Sequence, residues 1–156
     1  IERGDHGDAL KKALAPLAAS YRFIVIDCPP SLGLLTVNAL SASHGVVIPM
    51  QCEYYALEGL SQLMLTVRRV KKSMNPSLTI TGILITMYDG RLNLSAQVLA
   101  ELKKYYSDKL FRAVIPRNVR LSEAPSYGEP ALYHDKYSRG SLAYQDVAKE
   151  LLARVL

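Results

Sequence analysis

Asp27 closes an apolar run, Phe23-Ile24-Val25-Ile26. A carboxylate in that place is costly unless it faces an open edge or holds something positive. Two readings stand side by side. One is a Walker-B-type aspartate that orients magnesium, usually through water, beside nucleotide phosphates. The other is a helix N-cap or turn carboxylate. Pro29 and Pro30 restrict the backbone that follows, whereas Ser31 and Gly33 permit local rearrangement. A rigid pivot beside a flexible step suits a nucleotide-sensing switch, although ordinary loops share the pattern. Other chemistries find little support. His6, His44 and His134 are far apart, and Cys28 and Cys52 lie in neither a C-x-x-C nor a Cys/His cluster. That pattern argues against structural zinc and a disulfide framework and fits a reducing compartment.

The elements that must position these residues follow from periodicity. The run 23–26 reads as a strand buried on both faces, the habit of parallel sheets. Val46-Val47-Ile48, Ile80 to Thr86 and Ala113-Val114-Ile115 are runs of the same kind. Helical spacing predicts a first helix over Asp8 to Ala19, capped by Asp8 and kinked at Pro16. Further helices are expected over Leu34 to Ser43, about Ala56 to Met74, Leu94 to Tyr106, and about Leu142 to Leu156. The second of these carries Leu57, Leu60, Met64 and Val67 on one stripe, with Arg68, Arg69, Lys71 and Lys72 in its last turns, where cations suit the helix dipole. Asn75-Pro76-Ser77 stops it. Strand alternating with helix predicts an α/β fold with a mainly parallel sheet flanked by helices, and 156 residues fit one domain unit, 1–156.

In open parallel sheets ligands sit beyond the carboxyl ends of the strands. The segments expected there are Asp27 to Gly33, Pro49 to Tyr55, Met87-Tyr88-Asp89-Gly90-Arg91, and Pro116-Arg117-Asn118-Val119-Arg120. Charge adds a second clue. The chain carries 19 Lys and Arg against 14 Asp and Glu, a net +5. Between Arg91 and Arg139 nine cations face five anions, so this segment supplies +4 of it. Such a balance reads either as a solvated face or as sequence-independent contact with DNA phosphates.

At this point the residues carry a resemblance. The stretch Phe-Ile-Val-Ile-Asp-Cys-Pro-Pro-Ser-Leu-Gly-Leu-Leu-Thr-Val-Asn-Ala-Leu (23–40) resembles the second nucleotide motif of the ParA/Soj ATPases, the deviant Walker family that also contains MinD. Val-Ile-Pro-Met-Gln-Cys-Glu-Tyr-Tyr-Ala-Leu-Glu-Gly-Leu (47–60), Leu-Ile-Thr-Met-Tyr-Asp (84–89) and Ile-Pro-Arg-Asn-Val-Arg-Leu-Ser-Glu-Ala-Pro-Ser-Tyr-Gly (115–128) follow in register. The last segment favours the chromosome-partitioning Soj branch over MinD.

The resemblance implies a P-loop NTPase-like fold that uses ATP and Mg2+. Asp27 would be the magnesium-side carboxylate, acting through water, and Pro29, Pro30, Ser31 and Gly33 the switch that reads the γ-phosphate. Met87, Tyr88, Pro116, Arg117 and Asn118 would wall the adenine. Arg91 and Arg120 would contact DNA nonspecifically, with Lys104, Arg112 and Lys136 weaker candidates. The implied partners are DNA, a ParB-type centromere-binding protein that stimulates hydrolysis, and a second copy in an ATP-dependent homodimer, in a cytoplasmic, nucleoid-associated setting. Departures from the family pattern matter as much. None of the nine glycines is followed by Lys-Ser or Lys-Thr, so the P-loop G-x-x-x-x-G-K-[ST] is missing. With Ile1 as first residue, the chain is expected to be the C-terminal part of its parent, without the P-loop strand and not catalytic alone. Two alternatives remain: a non-enzymatic DNA- or partner-binding module that lost its P-loop, and a MinD-like membrane-positioning ATPase. Against the latter, the last helix carries an apolar stripe (Tyr144, Val147, Ala148, Leu151, Leu152, Val155) whose flanking charges Asp146, Lys149, Glu150 and Arg154 balance. A membrane anchor is normally richer in cations, so no stable membrane association is expected.

Overall fold

A computed structural model describes residues 8–29, 31 and 33–156. Helix α1 (Ala9–Leu14) passes into a 3-10 turn at Ala15–Leu17, the change of winding expected where Pro16 removes a helical donor. Asp8 occupies the N-cap of α1, but its side chain makes no capping bond. Then come α2 (Leu34–Ala42), β1 (Gly45–Gln51), α3 (Ala56–Ser73), β2 (Thr79–Thr86), α4 (Asn93–Tyr106), α5 (Val119–Glu123), a 3-10 turn at Ala124–Tyr127, α6 (Ala131–His134) and α7 (Arg139–Val155). The fold is α/β. β1 and β2 form a two-stranded sheet. Thr79 N–H donates to the His44 carbonyl at 3.0 Å and the Thr86 hydroxyl to the Met50 carbonyl at 3.3 Å, so the strands run in the same direction. Among the described residues no helix is long and apolar enough to cross a membrane.

The chain divides into two compact units. One comprises the described part of 1–46 together with Glu58–Thr79. In it α1 lies against α2, and α3 buries Leu60, Met64, Val67 and Val70, the expected stripe without Leu57 and extended by Val70 at the carboxyl end. Asn75, buried in the turn after α3, donates from its amide to the carbonyls of Leu40 and Ser43 at 3.0 and 2.7 Å and so fixes the end of α2. The run Phe23 to Ile26 corrects the sequence expectation. It forms no strand, and Phe23, Ile24 and Val25 are exposed. A strand exists only by pairing, and no described segment pairs with this one.

The other unit comprises Val47–Leu57 and Ile80–Leu156. Its core joins Leu84 of β2, Phe111, Ile115 and Val147 of α7, with Val47, Ala113, Leu121, Ala143 and Leu151 packed around them. The expected strand 113–115 is also corrected: it is replaced by two isolated parallel bridges, Ile83 to Leu110 and Tyr88 to Pro116. Phe111 N–H reaches the Ile83 carbonyl and Ile115 N–H the Ile85 carbonyl, both at 2.9 Å. Four residues on one side therefore span two on the other, and Arg112 to Val114 leave the ladder. Glu150 of α7 takes over as acceptor, bonding the N–H groups of Arg112 at 3.0 Å and Ala113 at 3.1 Å. Arg154, one helical turn on, donates to Glu150 at 2.7 Å and to the carbonyls of Thr81, Lys109 and Leu110, and it lies 4.2 Å from the centre of the Phe111 ring. Gly82 leaves room for that stack, since a Cβ there would strike the Phe111 ring.

Candidate functional site

The bridge between Tyr88 and Pro116 ties together two of the segments that were expected to carry a ligand. Tyr88 N–H donates to the Ile115 carbonyl at 3.0 Å, and Arg117 N–H donates back to the Tyr88 carbonyl at 3.1 Å. Tyr88, Pro116 and Asn118 are half-buried beside the exposed Met87 and Arg117. Met87 has φ 51°, a left-handed backbone that a non-glycine residue adopts at some cost. The strain falls where β2 ends and the chain turns. Asn118 also starts α5, its side-chain oxygen accepting the Arg120 N–H at 2.9 Å. Periodicity missed α5 and α6 because they span 5 and 4 residues. The Asn118 cap was the available signal.

Neither arginine singled out for DNA contact is a lone cation. Arg91 donates from Nε and Nη2 to the two carboxylate oxygens of Asp89 at 2.9 and 2.6 Å, and its own N–H adds a bond at 3.1 Å. The Arg91 guanidinium and backbone N–H hold the Asp89 carboxyl at about 2. Arg120 pairs with Glu123 at 2.8 Å and with Asp135 at 3.5 Å. His134, stacked on Tyr127 at 4.9 Å, lies 3.7 Å from Glu123 and 3.9 Å from Glu129. Lys104, Arg112 and Lys136 are exposed. The pairing of Asp89, Glu123 and Asp135 with these arginines was not expected from the sequence. Asp89 and Glu123 were legible as near neighbours, two and three positions from their arginines.

Asp27, Ser31 and Gly33 belong to the other unit. Asp27 is exposed, makes no hydrogen bond or ion pair among the described residues, and does not cap α2, whose N-cap is Gly33. That removes the helix-cap reading. The Thr36 hydroxyl donates to the Ser31 carbonyl at 2.6 Å and Val37 N–H to the Gly33 carbonyl at 3.1 Å, so Ser31 and Gly33 are fastened to the first turn of α2. Pro29 is exposed, and Pro30 lies outside the described residues. Among the described residues no cluster of His, Cys, Asp and Glu forms a protein-only metal site. Cys28 is exposed and Cys52 buried, where desolvation pushes the thiol above its ordinary value.

Residues 1–80 match the AAA domain family. The sporulation initiation inhibitor protein Soj of Bacillus subtilis is 61% identical over 92% of this chain and 57% of its own length. The chromosome-partitioning ATPase Soj of Treponema pallidum is 49% identical over 99% of this chain and 61% of its own. Among solved structures, the cobyrinic acid a,c-diamide synthase of Mycobacterium smegmatis with bound ATP analogue and magnesium superposes with a TM-score of 0.80, at 37% identity, over 96% of this chain and 55% of that one. The chain belongs to the AAA-domain family, and proteins named Soj and ParA are among the relatives it is similar to. It spans a little over half the length of the curated relatives it matches.

Proposed function

We propose that this chain carries the magnesium-side carboxylate, the phosphate-reading switch and the adenine-facing loops of an ATP-dependent chromosome- or plasmid-partitioning ATPase. The observation that carries the reading is the bonded pair Tyr88 and Pro116, which sets the loops 87–91 and 116–120 side by side. Met87, Tyr88 and Pro116 offer partly exposed apolar surface to a base, and Arg117 and Asn118 offer its polar rim. Asp27 fits magnesium held through water, because its oxygens have no partner among the described residues. Bound Mg2+ would neutralise phosphate charge during transfer. Pro29, Pro30, Ser31 and Gly33 would register the γ-phosphate through the start of α2. Arg91 and Arg120 would contact duplex phosphates without reading bases. A ParB-type protein and a second copy of the chain are the proposed partners, in the cytoplasm on the nucleoid.

None of the 156 residues supplies a P-loop, so hydrolysis is proposed for the full-length protein and not for these residues alone. In α7, Val147 is buried, with Ala143 and Leu151 packed against the same core, which supports a docked helix over a membrane anchor. The test is ATP binding by calorimetry, followed by retention of nonspecific duplex DNA with and without ATP, on the full-length gene product. Binding should occur, ATP should promote retention, and Asp27→Ala should abolish the ATP dependence. A wild-type protein that binds neither ATP nor, with ATP present, DNA would overturn the reading.

A further inference from the structure

We propose that Asp89 is a built-in competitor for the DNA phosphates that Arg91 would contact, so that one carboxylate sets the strength of polyanion binding at the end of β2. This rests on the DNA-contact reading of Arg91 and adds to it a residue that determines affinity. The Arg91 side chain is 88% exposed, as a phosphate contact requires, while that of Asp89 is only 18% exposed. Yet the outward guanidinium is already engaged. Nε and Nη2 bind the two Asp89 oxygens in a fork, the same two-pronged geometry with which arginine receives a phosphate. The Nε/Nη2 edge is thereby taken, only the Nη1/Nη2 edge is left for an outside acceptor, and the charge of the pair sums to zero.

The pairing is local and preformed. Leu92 N–H closes the turn on the Asp89 carbonyl at 3.2 Å, and the Arg91 N–H bonds the same carboxylate that its side chain grips. The arginine also keeps the Asp89 carboxyl at about 2, so protonation does not lift the competition near neutral pH. Arg117 lowers the carboxyl further by its charge, so a cation next along the edge faces this pair and not a second acid. A phosphate must therefore displace Asp89 from the Nε/Nη2 fork or bind the remaining Nη1/Nη2 edge of a guanidinium whose charge Asp89 already balances.

The test measures binding of random-sequence duplex DNA by the full-length gene product with ATP and Mg2+, across a salt series. It compares wild type with Asp89→Asn, Arg91→Ala and the double variant. Asp89→Asn should tighten binding roughly fivefold at about 50 mM salt. It should also steepen the slope of log K against log salt by about 0.9, the increment for one more phosphate neutralised. Arg91→Ala should weaken binding, and the double variant should lose the gain. The proposal is overturned if Asp89→Asn leaves binding unchanged or weaker, if its gain survives in the Arg91→Ala background, or if a change in ATP affinity accounts for it. If wild type holds no DNA even at low salt, the DNA-contact reading falls and takes this inference with it. If wild type binds and Asp89→Asn alone brings no gain, only this inference fails.

Discussion

Ile80 to Thr86 and Phe23 to Ile26 are runs of similar composition with opposite fates. The first became the body of β2, bonded on both sides, with Ile83 and Ile85 0% exposed. The second lies unpaired among the described residues, with Val25 89% exposed. Apolar, β-branched composition states that a segment can live inside a sheet, while pairing partners decide whether it does. The segment 110–117 falls between the two: it joins β2 at both ends and is carried in the middle by the Glu150 carboxylate in place of a strand.

Substitutions at these places sharpen or break the contrast, measured by urea unfolding of this chain. Ile85→Ala should cost about 2–5 kcal/mol, the range for emptying a fully packed aliphatic site. A loss below that range would mean that β2 is not the structural centre of its unit. Gly82→Ala comes next, at about 1–3 kcal/mol, because the new Cβ would meet the Phe111 ring and come within 2.7 Å of Arg154 Nη1. Glu150→Gln should cost about 1 kcal/mol, since it replaces a charged acceptor of two backbone N–H groups by a neutral one. Burial raises the Glu150 carboxyl, but the Arg112 and Ala113 N–H groups and Arg154 outweigh it and leave the group below its ordinary value. Its contribution is thus present above the unfolded carboxylate range, roughly pH 4, and fades as pH falls through the lower folded value. The gap between wild type and Glu150→Gln should be widest near neutrality and close in acid. A gap independent of pH would show that shape and not charge holds the bulge. Val25→Ala, last, should stay within about 0.5 kcal/mol of wild type. A large loss there would reveal that the run is buried after all.

These cases also show what a single sequence discloses. β1, β2, α3 and α4 lie within one to three residues of their expected bounds, because each is long enough for its own period to speak. The α7 start moved from about Leu142 to Arg139, since Ser138 caps the helix by accepting the Ser141 N–H, a signal that periodicity does not register. The fate of 23–26 and the bulge at 112–114 depended on partners elsewhere in the chain, which no local pattern contains. The site shows the same division. Asp27 follows a run that forms no strand, whereas Tyr88 and Pro116 were expected beside each other's segments at the sheet edge and are bridged there, with both arginines close by in sequence. Their neutralisation was not weighed, because a carboxylate two or three positions away reads as ordinary surface until the turn geometry closes the pair.

Arg154 gives the unit an order of assembly. Its guanidinium joins carbonyls on both sides of the seam between β2 and the segment at 110, and the Thr81 carbonyl precedes it by 73 residues. A ribosome makes the whole seam before it makes the residue that fastens it. The Arg154 fastening of that seam therefore forms only after α7 has emerged, which makes it a long-range and late contact of the unit.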